Sequence, residues 1–177
     1  GGLVSHRRLS NGDDKPYELN ISWWSAMEDS SRDSKRFQYE RFILSQLLVM
    51  ALKGVPAFYL PALLASENDI KSFSMTGQRR DLNREKFKSE NLLAVLNNPG
   101  SNANKNIKYL RNAMDVRSKL KQFHPCSQMK CLSKGRSDIV VIKRGRGPDS
   151  VFAIHNMTEN KINYQLNDND LPKIIDN

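Results

Sequence analysis

A strongly apolar helix, a glycine and a short run between prolines most constrain the fold of this chain. Apolar residues recur at helical spacing over Ser34–Lys53, which predicts a helix that becomes buried on most sides toward its end. Gly54 stands where the glycine that ends a helix belongs. The run Val55–Pro61 shows no alternation, so we predict a strand buried on both faces, as in a parallel sheet. Together these pieces form one αβ step of an α/β fold.

One αβ step cannot close a sheet or cover both of its faces, and it would leave strand edges and apolar surface exposed. We therefore expect roughly the first 120 residues to come from a larger α/β domain, or to need a partner chain. The chain opens with two glycines and no methionine, which also suggests a fragment. We predict a loop over Gly1–Asn20 with a turn at Asn11–Asp14, and helices over Ser89–Asn97 and Asn104–Phe123.

The pattern changes after Pro125 from helical to strand-like. Short strands are predicted at three places, Asp138–Lys143, Ser150–His155 and Lys161–Leu166. Gly145–Asp149 and Thr158–Asn160 are predicted to be the turns between them. The sequence thus predicts an α/β part followed by a small antiparallel β part.

Charge and composition narrow the classes of function. The 28 Lys and Arg against 19 Asp and Glu give a net charge of +9, which favours anionic partners. No apolar run reaches the roughly 18 residues of a membrane span, and no signal peptide is visible. Two cysteines cannot form a disulfide scaffold, so we expect a reducing compartment, the cytoplasm. Phosphate-binding glycine motifs are absent, so we predict no nucleotide cofactor.

Three residues near the start of the β part could in principle bind a metal, namely His124, Cys126 and Cys131. No second ligand pair accompanies them, so we predict no metal site and no cysteine nucleophile. The densest basic stretch, Arg79–Lys88, follows the predicted buried strand, where α/β folds bind ligands. A solvated loop or helix face and an anion site are both open for this stretch at this point, and its arginine forks would suit phosphate or carboxylate. Glu18 has no identifiable partner carboxylate, so a structural role or a substrate contact is favoured over catalysis.

Several motifs together resemble one family. Gly54–Tyr59 resembles the last barrel strand of α-amylase-type (β/α)8 enzymes, glycoside hydrolase family 13. Further matches are similar to the sucrose phosphorylase branch: Gly2–Ser5, Pro16–Ile21, Leu52–Tyr59, Asn68-Asp69, Arg80–Arg84 and Phe123–Pro125. Glu18 and Glu85 are closer to glucosylglycerate- and glucosylglycerol-type phosphorylases, since sucrose phosphorylases typically carry Gln and His at these places.

The resemblance implies a fold and a reaction. Residues 1–123 would be the last part of a (β/α)8 TIM-type barrel, and residues 124–177 a small antiparallel β-sandwich-like domain. The implied reaction transfers an α-glucosyl unit from an α-glucoside to inorganic phosphate by a retaining double displacement, giving α-glucose 1-phosphate. Its three catalytic carboxylates, an Asp, a Glu and a second Asp, are expected upstream. No matching motif occurs in this chain, so we expect the isolated chain to be inactive.

The resemblance also implies which residues bind substrate and phosphate. Tyr17, Glu18 and Asn20 belong to a mobile loop at the mouth of the active site. Arg80 matches the arginine that meets phosphate or the departing acceptor, and the same turn carries Asp81, Asn83 and Arg84. Whether the acceptor is glycerate, glycerol or fructose stays open.

Two other functions stay open at this point. One is a related hydrolase that uses water in place of phosphate. The other is a non-enzymatic basic module that binds anionic surfaces and would lose affinity steeply with salt. Nucleic-acid binding is disfavoured, because few aromatic residues flank the basic ones.

Overall fold

The computed structural model describes residues 1–28 and 35–166, and its contacts divide the chain into two compact units. The first unit combines Gly1–Ile43 with Phe58–Leu110, and the second combines Leu44–Ala57 with Arg111–Asn177. The α-helices are α1 (Gln38–Ala51), α2 (Leu60–Leu63), α3 (Ile70–Thr76), α4 (Ser89–Asn97) and α5 (Asn102–Lys119). The strands are β1 (Leu3–Arg8), β2 (Asp14–Asn20), β3 (Met129–Cys131), β4 (Ile139–Arg144) and β5 (Val151–Asn156). Three short 3₁₀ turns occupy Ser25–Met27, Arg79–Asn83 and Lys121–Phe123.

The chain begins with an antiparallel hairpin of β1 and β2, so the prediction of a loop over Gly1–Asn20 was wrong. The turn signal within it was right. The Asn11 side-chain oxygen accepts the Asp13 amide at 3.2 Å, and Gly12 takes a φ of +90°. The strands escaped prediction because most of their positions are exposed, so the sequence lacks the apolar alternation of a half-buried strand.

The core of the first unit is aromatic. Trp24 and Phe42 are buried together with Ala65, and their rings meet edge to face with centroids 5.1 Å apart. The Gln38 side chain, at the start of α1, donates to the Trp24 carbonyl at 3.1 Å. Three partly buried residues pack against this cluster: Trp23, Met27 and Tyr39.

The helix predictions are largely confirmed. The helix predicted over Ser89–Asn97 is observed with those bounds. α1 lies inside the predicted Ser34–Lys53, whose first residue falls outside the described part of the chain. α5 starts at Asn102 and ends at Lys119, after which a 3₁₀ turn replaces the last predicted helical residues.

The predicted buried strand over Val55–Pro61 is absent from the structure, and this prediction was wrong. The chain from 55 to 59 has no regular structure, and α2 begins at Leu60. Val55 is 79% exposed and Tyr59 is 58% exposed. A strand buried on both faces needs neighbours on both sides. The described residues supply only two antiparallel sheets and no parallel strand beside this segment.

The second unit contains one antiparallel sheet in the order β3-β4-β5. Strands predicted at Asp138–Lys143 and Ser150–His155 are confirmed within one residue, and the turn between them spans Gly145–Asp149 as predicted. The segment Lys161–Leu166 belongs to no sheet, so that prediction was wrong. β3 was missed because its three residues are all exposed. Within residues 111–166 this single sheet has no second sheet facing it, as a sandwich would require.

A buried arginine in the second unit binds the end of α1. Arg144 of β4 is fully buried, and its terminal nitrogens donate to three carbonyl oxygens, those of Ala51 at 3.0 Å, Leu52 at 2.5 Å and His124 at 3.0 Å. The last carbonyls of a helix have no partner within the helix. Arg144 therefore acts as a side-chain cap for α1.

A second arginine completes this cap. Arg117 donates to the carbonyl oxygens of Met50 and Gly54, the latter at 2.9 Å. The guanidinium carbons of Arg117 and Arg144 lie 5.3 and 5.4 Å from the ring centre of Phe123. Burial lowers the pKa of both arginines, and the charge of Arg117 adds to this effect on Arg144. The two groups fix the turn at Gly54, whose φ is +109°.

Candidate functional site

The hairpin and the 3₁₀ turn Arg79–Asn83, here called the arginine turn, meet in the first unit. Nε of Arg80 lies 3.3 Å from Oε2 of Glu18, a contact between residues 62 positions apart. The neighbouring Arg79 donates to the Val4 carbonyl of β1 at 2.5 Å. The structure therefore brings together two of the residues that the sequence analysis selected, one from each side of the predicted site.

The ion pair is open to solvent and leaves part of the arginine available. The Arg80 side chain is 52% exposed and that of Glu18 is 31% exposed. Arg80 uses only Nε, so its two terminal nitrogens donate no hydrogen bond to any described residue. A guanidinium presents a planar fork that matches the oxygens of phosphate or carboxylate. This arrangement can bind an oxyanion while Glu18 orients the arginine.

A bulge in β2 exposes Tyr17. The pairing passes from Ser5–Glu18 to His6–Pro16, so Tyr17 has no partner on β1. Such a bulge redirects a side chain, and Tyr17 is 59% exposed. The adjacent Glu18 therefore faces Arg80 while Tyr17 extends into solvent.

Two asparagines of the predicted site each carry a buried, unused acceptor. Asn20 is fully buried and donates through Nδ2 to the Ser5 hydroxyl at 3.0 Å. Its Oδ1 accepts no hydrogen bond from the described residues, and the same is true of the buried Oδ1 of Asn83. A buried acceptor without a partner costs about 1–3 kcal/mol, so each of these atoms is suited to accept a hydrogen bond from a buried water.

The other predicted residues of the arginine turn have different environments. The Thr76 hydroxyl donates to Oδ2 of Asp81 at 2.7 Å, so Asp81 holds the turn to the end of α3. Arg84 is exposed. Burial raises the pKa of the neighbouring Glu85, and the charges of Asp69 and Glu67 act in the same direction.

Sequence reasoning missed Asn68 and Asp69 as site residues, although it quoted them as part of a motif. Oδ1 of Asn68 accepts the Ser22 amide at 2.7 Å, and the Asp69 carboxylate caps α3 through Ser72. An Asp immediately before a helical segment is an N-cap signal that could have placed the start of α3. The role of Asn68 depends on contacts 46 residues away, which spacing does not reveal.

The second unit contains grooves that are lined by none of the predicted site residues. A groove of about 360 Å³ is lined by Val55 and Pro56 with side chains between 114 and 125, which include the half-buried Arg117 and not Arg80. Cys126 and Cys131 are exposed free thiols. Residues 1–28 and 35–166 contain no group of three His, Cys, Asp or Glu placed to hold a metal ion. Over the same residues, no helix is both long and apolar enough to cross a membrane.

Comparison with known proteins agrees with the resemblance. No protein-family model matches the chain. The chain is 30% identical over 160 residues to the glucosylglycerate phosphorylase of Allomeiothermus silvanus, a match that covers 90% of the chain and 28% of that protein. It is 31% identical over 150 residues to the glucosylglycerate phosphorylase of Spirochaeta thermophila, which covers 85% of the chain and 25% of that protein.

A solved structure has a similar fold. The crystal structure of sucrose 6F-phosphate phosphorylase from Thermoanaerobacter thermosaccharolyticum matches with a TM-score of 0.63 and 14% identity, over 87% of this chain and 28% of that one. The resemblance to sucrose phosphorylase-like enzymes predicted from the sequence is confirmed. The chain spans little more than a quarter of the length of these relatives.

Proposed function

We propose that this chain is part of an α-glucoside phosphorylase and supplies the phosphate and acceptor side of its active site. The observation that carries the proposal is the contact of Arg80 with Glu18 at 3.3 Å, which leaves the arginine fork available to an anion. The similarity of most of the chain to two glucosylglycerate phosphorylases supports the same function.

In the proposed reaction an Asp carboxylate attacks the anomeric carbon of the α-glucoside while a Glu protonates the departing oxygen. Phosphate then attacks the glucosyl-enzyme, and α-glucose 1-phosphate leaves with its configuration retained. A second Asp stabilises the transition state. We assign these three carboxylates to the part of a longer protein, or of a partner chain, that corresponds to the remainder of the relatives' length.

Within this scheme, Arg80 binds two oxygens of phosphate through its terminal nitrogens, which offsets phosphate's negative charge as it approaches the glucosyl-enzyme. Glu18 orients the guanidinium through Nε, and Arg84 adds positive potential. By the resemblance, Asn20 and Asn83 are assigned to the substrate side of the site, and Tyr17 and Asp81 to its mouth and to the arginine turn. No cofactor is needed for this chemistry.

The fold proposal follows from the same comparison. We propose that residues 1–123 complete a (β/α)8 barrel and that residues 124–177 form the small β domain. The exposure of Val55 and Tyr59 supports this, since further parts of a barrel would cover both apolar side chains.

The test is a chimera that carries this sequence in place of the matching segment of the Allomeiothermus silvanus enzyme. Formation of glucose 1-phosphate from glucosylglycerate, glucosylglycerol and sucrose is measured with and without phosphate. Arg80→Lys keeps the charge but loses the fork, so we expect phosphorolysis to fall by about 10- to 100-fold. Arg7→Lys, in the exposed part of β1, is the matched control and should change nothing.

Each alternative has its own outcome. Release of glucose at the same rate with and without phosphate would identify a hydrolase. A chimera without glucosyl transfer, together with binding of the chain to polyanions that falls steeply with salt, would identify a basic binding module.

A further inference from the structure

We propose that Asn68 and Asp69, here called the joint, are positioning residues. They fix the position of the hairpin relative to the arginine turn and so set the contact between Glu18 and Arg80. What this contact binds rests on the proposed function. The joint itself rests on contacts within the first unit.

Asn68 closes the open end of the hairpin. Its Oδ1 accepts the Ser22 amide at 2.7 Å, and its Nδ2 donates to the Gly1 carbonyl at 3.1 Å. Gly1 precedes β1 and Ser22 follows β2, so one carboxamide bonds both ends of the hairpin. The Asn68 amide also donates to the Ser25 hydroxyl at 3.1 Å, which fixes the backbone that carries this side chain.

Asp69 binds the arginine turn from the next position along the chain. Its amide donates to the Leu82 carbonyl at 2.7 Å. Its carboxylate accepts the Ser72 amide at 2.9 Å and the Ser72 hydroxyl at 2.5 Å, and these bonds lower the pKa of Asp69. It is therefore also the N-cap of α3.

The far end of α3 binds the same turn. The Thr76 hydroxyl donates to Asp81 at 2.7 Å, and the helix ends at Gly77 with a φ of +67°. The arginine turn is thus attached through Asp81 and Leu82, the two residues that follow Arg80. Both attachments depend on the position of α3, which Asp69 caps.

Two other side-chain contacts join these elements, the Arg80–Glu18 ion pair and the bond of Arg79 to the Val4 carbonyl, and both are exposed, so they do not hold the elements in place by themselves. Half-exposed ion pairs contribute little, because solvent screens them and their side chains lose entropy. The hydrogen bonds of the joint, 2.5–3.1 Å long, involve backbone groups on both elements. Because Asn68 and Asp69 are adjacent, a displacement of one element must move the other.

The experiment is amide hydrogen exchange of the full 177-residue chain, read by peptide mass spectrometry. Asn68→Ala removes both hairpin bonds and is the main variant. We expect exchange to rise by about tenfold or more in two segments that are distant in sequence, 14–20 and 79–83, while 102–119 stays unchanged. Asn68→Asp keeps the acceptor but loses the donor, and its effect should be smaller. Asn112→Ala, an exposed position of α5, is the matched control.

Two results would overturn the proposal. Faster exchange in the hairpin alone would make Asn68 a local clamp, and a uniform rise over all segments would make it a residue of general stability. Binding of inorganic phosphate, followed by ³¹P NMR, tests the proposed function separately. A wild-type chain that binds no phosphate would count against the proposed phosphate site. The exchange pattern would still show whether Asn68 and Asp69 position the hairpin and the arginine turn.

Discussion

Replacing Arg144 with methionine should destabilise the second unit. Methionine is an unbranched apolar side chain that fills part of the same space, so the change mainly removes the buried guanidinium. Three carbonyl oxygens, those of Ala51, Leu52 and His124, then lose their donor. The Phe123 ring loses one of its two cations.

The size of the effect follows from two opposing contributions. Hydrogen bonds to a charged donor contribute about 1.5–3 kcal/mol each, so three of them contribute about 4.5–9 kcal/mol. Removing a buried charge returns several kcal/mol of desolvation cost, and here Nε of Arg144 has no hydrogen-bond partner among the described residues. The net loss of unfolding free energy should be about 2–4 kcal/mol.

The assay is amide exchange of β4, where a loss of this size raises the rate by about 30- to 700-fold if exchange follows unfolding. Arg144→Lys keeps the charge but cannot reach three carbonyls with one ammonium, so it should fall between the wild type and Arg144→Met. Arg136→Met is the control, because Arg136 is exposed and pairs with Asp138. If Arg144→Met changed the β4 rate by less than about threefold, the cap would not stabilise this unit.

Three further predictions concern single residues. Burial lowers the pKa of His155, so folding favours its neutral ring: the second unit should keep full stability above about pH 6.5, the ordinary value, and lose stability below it. Thermal unfolding between about pH 7.5 and 5.5 measures this, and a His155→Phe variant with the same pH slope would contradict it. Trp24→Ala should lower the unfolding free energy by about 3–5 kcal/mol, because the buried Trp24 ring packs with its centroid 5.1 Å from that of Phe42. Urea denaturation followed by circular dichroism measures this, and a loss below about 1 kcal/mol would refute the assigned core. Gly54→Ala should cost about 1–3 kcal/mol in the same assay, because its φ is +109°, whereas Gly100→Ala, at a position without positive φ, should cost less.

Local periodicity predicted the elements whose apolar residues recur at a regular spacing. It gave the bounds of the helix Ser89–Asn97 and placed β4 and β5 within one residue. It failed at the hairpin, whose exposed strands carry no apolar alternation, and at the segment from 55 to 59. The apolar character of that segment was visible, but pairing requires a neighbouring strand, and the described residues supply none there.

The candidate site could be predicted residue by residue but not as an arrangement. Charge and motif selected Glu18 and Arg80, yet nothing in the spacing indicated that residues 62 positions apart lie 3.3 Å from each other. The part played by Asn68 was not predictable at all, because its partners Gly1 and Ser22 come from a distant part of the chain.

The sequence by itself determined three things: a surplus of arginine and lysine, the positions of the main helices, and a family resemblance carried by short motifs. Only the tertiary structure decided which residues meet. Hydrogen bonds and ion pairs act over about 3 Å, and in a folded chain that distance is set by packing rather than by separation along the sequence. For this reason Arg80 contacts Glu18 at the surface, whereas Arg144 is buried as the cap of α1.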